Sequence, residues 1–515
     1  MALSVIASTI LASCVFVSQG LRLGFVIAFS VVFLIVLINF AVFRKKFLIL
    51  LSIGLLIAII PMLSIYCKSK TLVNNNAMLS EKCTYTGKIE SLAEELDRNA
   101  IFIELSDVRI LKGEEEKVFK GHVYVHLVAN GVDTSKLDIG KIVTIYNSEL
   151  VGMNLNKGSS ESDRYYLSRG INAKGFVFGH NFSIEDKFSL NLRDKVKNLV
   201  YKDFEKTDTF FTNIGYAMLF GESSVLSDDV YGVFKDSGIA HLLAVSGFHI
   251  SIIVSFLLFI LNKLRANKYA KLSVVAIILL FYAYLCSFSV SVIRASIMSL
   301  LLIYARNRNK EYDKLSALSL AAVFILLICP MQFFNISFIF SFVAILSIIL
   351  LTPIFERLLS NIFHEKISAS ISLSFAVCLG IMVFQLYYFG RYPILSVFSN
   401  VITIPVVSVL FIFLIISVLI GPIFNITVPL IKAFGSCMKY IVQFNSWISR
   451  NGLYINVGVS GRLALVLSLF LMFVVSDYLF VRKRTKWAIS VPLVTMIVLM
   501  MIWWKWTRQK YARLL

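Results

Sequence analysis

The stretch Asp236–Ser255 reads D-S-G-I-A-H-L-L-A-V-S-G-F-H-I-S-I-I-V-S, and apolar sequence continues from it to Leu261. Two histidines, His241 and His249, and the pair Ser246-Gly247 lie in a segment that is otherwise hydrophobic enough to enter a bilayer. Polar side chains in hydrocarbon are disfavoured unless they face a partner or a water-filled cavity. The stretch therefore predicts a polar site inside a membrane protein.

Gly247 adds a second signal to the same stretch. Glycine is a poor helix former, and broken helices at membrane depth are tolerated only where they line protein or a cavity. On an unbroken helix, at about 100° per residue, His241, Ser246 and His249 would share an arc of roughly 140°. The alternative is that these side chains only join helices through hydrogen bonds, which is common for Ser and His in membrane proteins.

The composition indicates a polytopic membrane protein rather than a globular enzyme. Of the 515 residues, 58% are hydrophobic and 16% are charged, and the mean hydropathy is +0.81. The net charge of +20 fits Lys and Arg in cytoplasmic loops and also attraction for a polyanion, and the first explains most of it. The seven cysteines form no C-x-x-C pair, and no Walker A motif is present. We therefore expect no metal, no cofactor and no ATP hydrolysis in this chain.

The first 66 residues predict transmembrane helices from three apolar runs at 2–19, 23–43 and 47–66. No Lys or Arg precedes the first run, so a signal peptide is not expected. Arg44-Lys45-Lys46 should be cytoplasmic by the positive-inside rule, which places the end of the third run outside. We therefore expect the polar segment that follows to be extracytoplasmic.

Residues 67–186 predict a small β-barrel such as an OB-fold, because short β-rich runs alternate with Gly, Asn and Asp. The runs are 83–90, 100–105, 118–128, 141–147 and 175–183. His122 and His126 lie on one face of a strand, but about 13 Å separates positions four apart, which argues against a metal pair. Cys67 and Cys83 bracket the entry to this segment, so a disulfide is permissible outside the cell, and free thiols are the alternative.

Residues 187–236 predict amphipathic, interfacial helices, since apolar residues recur among Lys and Arg between 190 and 206. Residues 237–515 predict a transmembrane domain. Its apolar runs are 239–261, 270–287, 291–305, 315–329, 336–353, 369–390, 394–420, 460–481 and 487–504, with an ambiguous amphipathic stretch at 425–449. Basic clusters at Lys263–Lys271, Arg306–Lys314 and Arg482–Lys486 suit cytoplasmic loops, and the side of the carboxyl terminus stays open.

Several motifs resemble those of the ComEC competence proteins, polytopic channels that bring DNA through the inner membrane in natural transformation. G-I-A-H-L-L-A-V-S-G-F-H-I at 238–250 resembles the family's hallmark segment, and A-M-L-F-G-E-S-S-V-L-S at 217–227 the element before it. S-V-I-R-A at 291–295 and the Asn-and-Pro segment at 399–405 are also similar. Residues 335–342 depart from the pattern, because Phe-Ile-Phe replaces Phe-Gln-Leu.

The resemblance implies a polytopic α-helical membrane protein of the inner membrane, with an OB-like domain between its first helices and its channel. It implies a channel for single-stranded DNA and not an enzyme. Many members also carry a metallo-β-lactamase-like domain with an H-x-H-x-D-H motif, which the six histidines here do not form. We therefore expect a separate nuclease, a cytoplasmic ATPase and a DNA receptor outside as partners, besides the strand and the bilayer.

The residues expected along the DNA path are His241, Ser246, Gly247, His249, Arg294 and Asn400. Arg294 would hold phosphates, although it could instead extend to the lipid headgroups. A second hypothesis is an intramembrane hydrolase with Ser246 as nucleophile and His241 or His249 as base, but no carboxylate lies in this stretch to orient the base. A carrier of lipids or small anions is the third. The oligomeric state does not follow from the sequence.

Overall fold

The structure is a computed structural model. It describes residues 64, 67–68, 70–77, 79, 82–95, 100–112, 115–128, 140–153, 161–178, 181–188, 191–207, 209–223, 226–456, 462–477, 489–492 and 494–495. The three apolar runs expected in the first 66 residues, apart from residue 64, and most of the last one, 487–504, lie outside these ranges. The described chain divides into two compact units.

The first unit contains a β-barrel. Its strands are β1 (Cys83–Glu95), β2 (Ala100–Lys112), β3 (Glu115–Val118), β4 (His122–Val128), β5 (Lys141–Gly152), β6 (Ile171–Phe178) and β7 (Phe182–Phe188). The order β1-β2-β4-β6-β5 closes because β5 also pairs with β1, and only β4 and β6 run parallel. Outside the closed order of this five-stranded barrel, β3 pairs with β2 and β7 pairs with β5. The OB-like architecture predicted from the sequence is confirmed.

Two of the predicted runs each contain two strands. The run 118–128 changes strand at Gly121, whose φ of 106° is a left-handed conformation that glycine adopts without steric cost. The run 175–183 likewise falls on the end of β6 and the start of β7. The period-2 pattern shows strand character, but it does not show where a strand must turn to close a barrel.

Alternation places the barrel's core inside. In β4 the residues Val123, Val125 and Leu127 are buried, while His122 and His126 lie half-buried on the outer face. Cys83 belongs to this core and its thiol contacts the Ser148 carbonyl at 3.7 Å, whereas Cys67 is exposed. Neither cysteine is in a disulfide in the structure, so the bridge allowed by the sequence is not formed.

A short helix, α1 (Glu161–Ser168), connects the barrel to residues 319–339, which belong to the same compact unit. Leu167 packs in one cluster with Met331 and Phe334, which lie on a 3-10 helix (Pro330–Phe334). The Gln332 side chain donates to the Ser168 carbonyl at 3.2 Å. The barrel thus packs on one end of the helix that precedes Pro330.

Further helices are α2 (Leu192–Glu205), α3 (Thr209–Phe220), α4 (Asp228–Asp236), α5 (Gly247–Lys263), α6 (Lys268–Leu285), α7 (Val290–Asn307), α8 (Lys314–Ile328), α9 (Ile336–Leu359), α10 (Glu365–Phe389), α11 (Ser396–Phe424), α12 (Thr427–Arg450) and α13 (Arg462–Val475). Within the described ranges, α6, α7, α9, α10 and α11 are long and apolar enough to cross a membrane, and α5, α8 and most of α13 are shorter apolar helices. These helices make the chain a multi-pass membrane protein.

The ambiguous stretch 425–449 is the single helix α12. It forms a hairpin with α11, because Asn425 takes a left-handed conformation at φ 55° and ends α11. Gly421 packs so closely on Thr427 that a Cβ would lie 2.8 Å from the Thr427 Cα. At the far end of the hairpin, short strands β8 (Tyr392–Pro393) and β9 (Tyr454–Ile455) pair, so the start of α11 and the end of α12 lie together.

Candidate functional site in the membrane domain

The hallmark stretch is not one helix. A 3-10 turn, Ala240–Leu242, comes first, and α5 begins only at Gly247 with Ser246 as its N-cap. His241 is exposed on the 3-10 turn and does not share a helix with His249. The common arc expected for an unbroken helix therefore does not exist, whereas the predicted interruption of the apolar run lies at Gly247.

The start of the stretch packs on the start of α11. Gly238 has φ 80°, and a Cβ there would lie 2.5 Å from the Ser396 Cβ. Asp236 forms an ion pair with Arg391 at 3.3 Å, just before α11. The structure thus brings the hallmark stretch against the start of α11, the helix that carries the Asn-and-Pro segment.

Ser246 and His249 form a local pair at the N-terminus of α5. The Ser246 backbone N–H donates to His249 Nδ1 at 3.1 Å, and the Ser246 hydroxyl lies 3.3 Å from the same nitrogen. Because Nδ1 accepts, neutral His249 carries its proton on Nε2, which is buried without a hydrogen-bond partner. The ring packs on Phe411 of α11, with 4.4 Å between ring centroids.

This pairing differs from a catalytic dyad. In such a dyad the base is itself oriented by a third group, often a carboxylate. Here Nδ1 is engaged by the backbone, and the described part of the chain offers no carboxylate hydrogen bond to His249 Nε2. The geometry suits a capping interaction that satisfies the free N–H at the helix start.

Gly247 makes room for Arg294. A Cβ at residue 247 would lie 2.5 Å from Arg294 Nη2 and 3.4 Å from the Ala295 Cβ. The glycine is therefore required by the close approach of α7 as well as by the start of α5. This pairing joins two motifs that the sequence presents as separate.

Arg294 is buried inside the protein, with 3% of its surface exposed. It donates through Nη1 to the Ser341 carbonyl, and its guanidinium lies 5.9 Å from the centroid of the Phe342 ring. The neighbouring hydroxyls of Ser291 and Ser341 are 2.9 Å apart. Nε has no partner among the described residues. The structure thus places Arg294 between α5, α7 and α9 rather than at the lipid surface.

Asn400 lies in a second buried polar cluster, between α10, α11 and α12. Its Nδ2 contacts Cys378 Sγ at 3.5 Å, and its Oδ1 is buried without a partner within the described ranges. One turn away, Asn445 donates to the Thr403 hydroxyl at 3.1 Å and accepts from the Ser399 hydroxyl. About 16 Å of α11 separates Asn400 from Phe411, at 1.5 Å per residue. Asn400 and His249 therefore lie in different clusters.

Beside His249, an open groove of about 440 Å³ runs along the exposed face of α5. It combines phenyl rings with two hydroxyls. Its lining residues are Phe248, Ser251, Ile252, Ser255, Phe256, Phe259 and Ile412. The groove offers aromatic faces and hydroxyls in a membrane segment, a combination suited to a ligand with flat rings or acyl chains.

The barrel carries a separate outer face. The rings of Phe102 and His126 stack with 4.7 Å between centroids, and Phe176 lies edge-on to His126 at 5.9 Å. At the other end of this face, His122 Nδ1 lies 2.8 Å from Glu104 Oε1, and this hydrogen bond raises the pKa of His122 above its ordinary value. Glu104 also accepts from Arg169 at 3.1 Å.

Sequence reasoning missed Phe411, Ser341 and Asn445. Phe411 lies in an apolar run and carries no local signal. Ser341 falls in the motif at 335–342, but only packing shows that it contacts Arg294. Asn445 does carry a local signal, because it falls on the apolar face of α12 together with Ile441 and Ile448. A polar residue on a buried face predicts a partner on the neighbouring helix. No cluster of three His, Cys, Asp or Glu that could hold a metal occurs within the described ranges.

Comparison with known proteins identifies the family. A family model described as "Competence protein" matches residues 218–485. The chain is 26% identical over 194 residues to ComE operon protein 3 of Bacillus subtilis, covering 38% of this chain and 24% of that protein. It is 25% identical over 169 residues to Recombination protein 2 of Haemophilus influenzae, covering 31% and 21%.

An uncharacterized protein of Aquifex aeolicus is 32% identical over 168 residues, which are 32% of this chain and 39% of that protein. The matches thus span well under half the length of these relatives. No solved structure matches. The family model covers more than half of the chain, including the hallmark stretch, Arg294 and the α11–α12 hairpin, and the chain therefore belongs to the Competence protein family.

Proposed function

We propose that the chain forms a channel that conducts single-stranded DNA through the cytoplasmic membrane into the cytoplasm during natural transformation. One observation carries the proposal: three of the predicted path residues each bury a polar atom without a partner in the described structure. These atoms are His249 Nε2, Arg294 Nε and Asn400 Oδ1. An unpaired polar atom in hydrocarbon costs several kcal/mol, about 2–7 depending on the reference state, so such atoms indicate hydration or a polar ligand.

Membership of the Competence protein family supports a role in DNA uptake. A channel must bind its substrate weakly at several sites, because tight binding at one site would stop transit. The separation of the His249 and Asn400 clusters along α11 suits that requirement. In this proposal the path also includes the exposed His241 and the Ser246-Gly247 turn.

The basic run Arg44-Lys45-Lys46 supports an extracytoplasmic domain that receives the strand. This run should be cytoplasmic, so the third apolar run ends outside, where the chain enters the barrel. The rings of Phe102, His126 and Phe176 on the outer face of the barrel then offer a stacking surface for bases, as in OB-folds that bind oligonucleotides.

The proposal assigns transport to this chain and strand cleavage and ATP hydrolysis to separate proteins. The expected partners are a DNA receptor outside, a nuclease and a cytoplasmic ATPase. In the proposed division of the chain, helices before residue 67 anchor the domain at 67–186, interfacial helices follow at 187–236, and residues 237–515 conduct.

An intramembrane hydrolase is the second candidate, because the Ser246 hydroxyl lies within 3.3 Å of His249 Nδ1. The two functions predict opposite orders of damage. In a hydrolase Ser246→Ala removes the nucleophile and abolishes activity. In a channel Ser246→Ala removes one hydroxyl, whereas Gly247→Leu forces a side chain into Arg294 and blocks the path.

The test is uptake of labelled DNA into the cytoplasm, compared with DNA bound outside, in cells with matched membrane levels of each variant. We expect Gly247→Leu to abolish entry while outside binding persists, and Ser246→Ala to weaken entry less. The channel proposal fails if Ser246→Ala abolishes function and Gly247→Leu is tolerated, and the hydrolase then takes its place.

A further inference from the structure

Helix α12 carries a row of cations and aromatic rings along its exposed side. Lys432, Lys439 and Arg450 are exposed, and at about 100° per residue they fall within an arc of roughly 20°. Gln443 and Ser436 lie within about 40° of the same line. Tyr440 and Trp447 border the row on one side and are 71% and 62% exposed. We name these seven residues the α12 polar stripe.

The opposite side of α12 is packed in protein. Ile431, Phe434, Met438 and Asn445 are buried, and Phe434 lies near Gly215 of α3. An amphipathic helix lying flat on a membrane would instead turn its apolar side to lipid. Among the described residues, the α12 polar stripe therefore faces away from the helices that pack on α12, and the apolar side of α12 is not available to lipid.

The stripe lies at membrane depth. Thr403 and Asn445 bond at the far end of the α11–α12 hairpin and Gly421 meets Thr427 near its turn, so the two helices run antiparallel side by side. Val409 lies twelve residues before Gly421 and Lys439 twelve residues after Thr427, so the two lie at the same level along the hairpin. Val409 is near the middle of the 29-residue α11. Val409 is 67% exposed on an apolar helix, as a lipid-facing residue is.

A lysine at that depth is costly unless it meets water or an anion. The sequence between Glu365 and Asp477 contains no Asp or Glu, so this part of the chain has no carboxylate to offer. Within the described structure, Lys432, Lys439 and Arg450 form no ion pair. The row from Lys432 to Arg450 extends about 27 Å at 1.5 Å per residue, which is close to the roughly 30 Å of the hydrocarbon core.

From this arrangement we infer that the α12 polar stripe is the phosphate and base track for the strand: the cations hold phosphates at intervals along the strand while Tyr440 and Trp447 stack bases. Sequence-independent binding of single strands combines these two elements, a basic groove and aromatic faces. A second copy of this chain would bring the same cations to the stripe, which like charge disfavours unless the copies meet elsewhere. The inference rests on the proposed function and adds an exposed track on α12 to the buried path residues of that proposal.

The first test uses a strain lacking the chain, complemented by wild type or by variants at matched membrane levels. The stripe variant combines Lys432→Gln, Lys439→Gln and Arg450→Gln, which keep polarity and remove charge. The matched control combines Arg265→Gln, Lys310→Gln and Lys366→Gln, three exposed cations near helix ends. We expect the stripe variant to lower DNA entry at least about tenfold and the control to lower it less than about twofold, because each lost phosphate contact weakens binding.

The proposed function and the proposed track can be refuted separately. If complementation by wild type restores no DNA entry, the proposed function fails. If wild type restores entry and the stripe variant does so equally, the proposed function stands and the track is elsewhere. Tyr440→Phe should retain entry and Tyr440→Ala lower it, since stacking needs the ring and not the hydroxyl.

The second test locates the strand directly. A photo-crosslinking amino acid is placed at Tyr440 or, as the control at matching depth, at Val409, and the strand is arrested in transit by a bulky protein at its trailing end. We expect cross-links to DNA from residue 440 and to lipid from residue 409. Cross-links from residue 440 to lipid or to a second copy of the chain, without DNA, would overturn the inference.

Discussion

At the residue scale, the membrane site depends on close contacts that side-chain chemistry alone does not reveal. Gly247 has no Cβ because Arg294 Nη2 occupies the space, and Gly238 approaches Ser396 in the same way. Both glycines look like helix breakers in the sequence. In the structure each one also admits a neighbouring element, so their roles are packing roles as well as conformational ones.

The Gly247–Arg294 contact predicts non-additive substitutions. Gly247→Ala should lower the free energy of unfolding by about 1–3 kcal/mol, because its methyl group overlaps the guanidinium. In an Arg294→Ala background the same change should cost at least about 1 kcal/mol less, since the overlapping group is gone. The measurement is a double-mutant cycle of unfolding in mixed micelles. Additive effects within error would show that the contact does not constrain Gly247.

His122 provides a second prediction at this scale, in the barrel. The hydrogen bond to Glu104, aided by the nearby charge of Glu90, raises the pKa of His122 above its ordinary value. A group with a raised pKa in the folded state stabilises that state fully below its unfolded pKa, about 6.5. That stabilisation is lost as the pH rises through the raised value.

The measurement is the histidine ring titration followed by NMR in the detergent-solubilised protein, with His122→Gln to assign the signal. Glu104→Gln should bring the pKa of His122 down, because it removes the carboxylate that favours the charged ring. A wild-type pKa at or below the ordinary value would contradict the hydrogen bond to Glu104.

At the element scale, the sequence predicted most helices and missed how they meet. Apolar runs at 270–287, 336–353 and 369–390 correspond to α6, α9 and α10, because length and hydropathy suffice to mark a span. The hydropathy of the run 239–261 does not show where its helix begins, and the signal for the interruption at Gly247 came from the glycine itself. The stretch 425–449 stayed ambiguous because its packed face contains Asn445 and its other face carries cations.

The α11–α12 hairpin gives the prediction at this scale. Asn445→Ala removes the bonds to Ser399 and Thr403 and leaves these two buried hydroxyls without that partner. We expect a loss of about 1–2 kcal/mol in the free energy of unfolding, in the range measured for hydrogen bonds between membrane helices. Cys437→Ala, an exposed change on the same helix, is the control and should have no effect. Equal stability of Asn445→Ala and wild type would contradict the network.

At the scale of the whole molecule, separate contacts support one arrangement in the membrane. β8 pairs with β9, so the start of α11 and the end of α12 lie on one side, and Arg357 at the end of α9 bonds Asp477 after α13. If Arg306–Lys314 are inside, the alternation of helices places the β8–β9 pair outside and the Arg357–Asp477 pair inside. The basic clusters in the sequence predict the same sides, although the sequence alone could not decide whether 425–449 crosses.

Topology is therefore testable by labelling. In a variant with Cys67 and Cys437 replaced, a membrane-impermeant thiol reagent should reach cysteines introduced at Glu116 and Asn451 and miss those at Arg308 and Asn425. Each position is exposed, so failure to label reports the side of the membrane rather than burial. Labelling of Arg308→Cys with protection of Glu116→Cys would reverse the proposed topology. Equal labelling of positions 425 and 451 would show that α12 does not cross the membrane.

The central claim is that this chain conducts DNA, and its deletion tests the claim most directly. DNA labelled along its length is supplied to cells with and without the gene, and external nuclease separates DNA that has entered the cytoplasm from DNA bound outside. We expect deletion to abolish the protected DNA and to leave outside binding intact, and we expect the wild-type chain to restore the protected DNA. Protected DNA at wild-type levels in the deletion strain would contradict it.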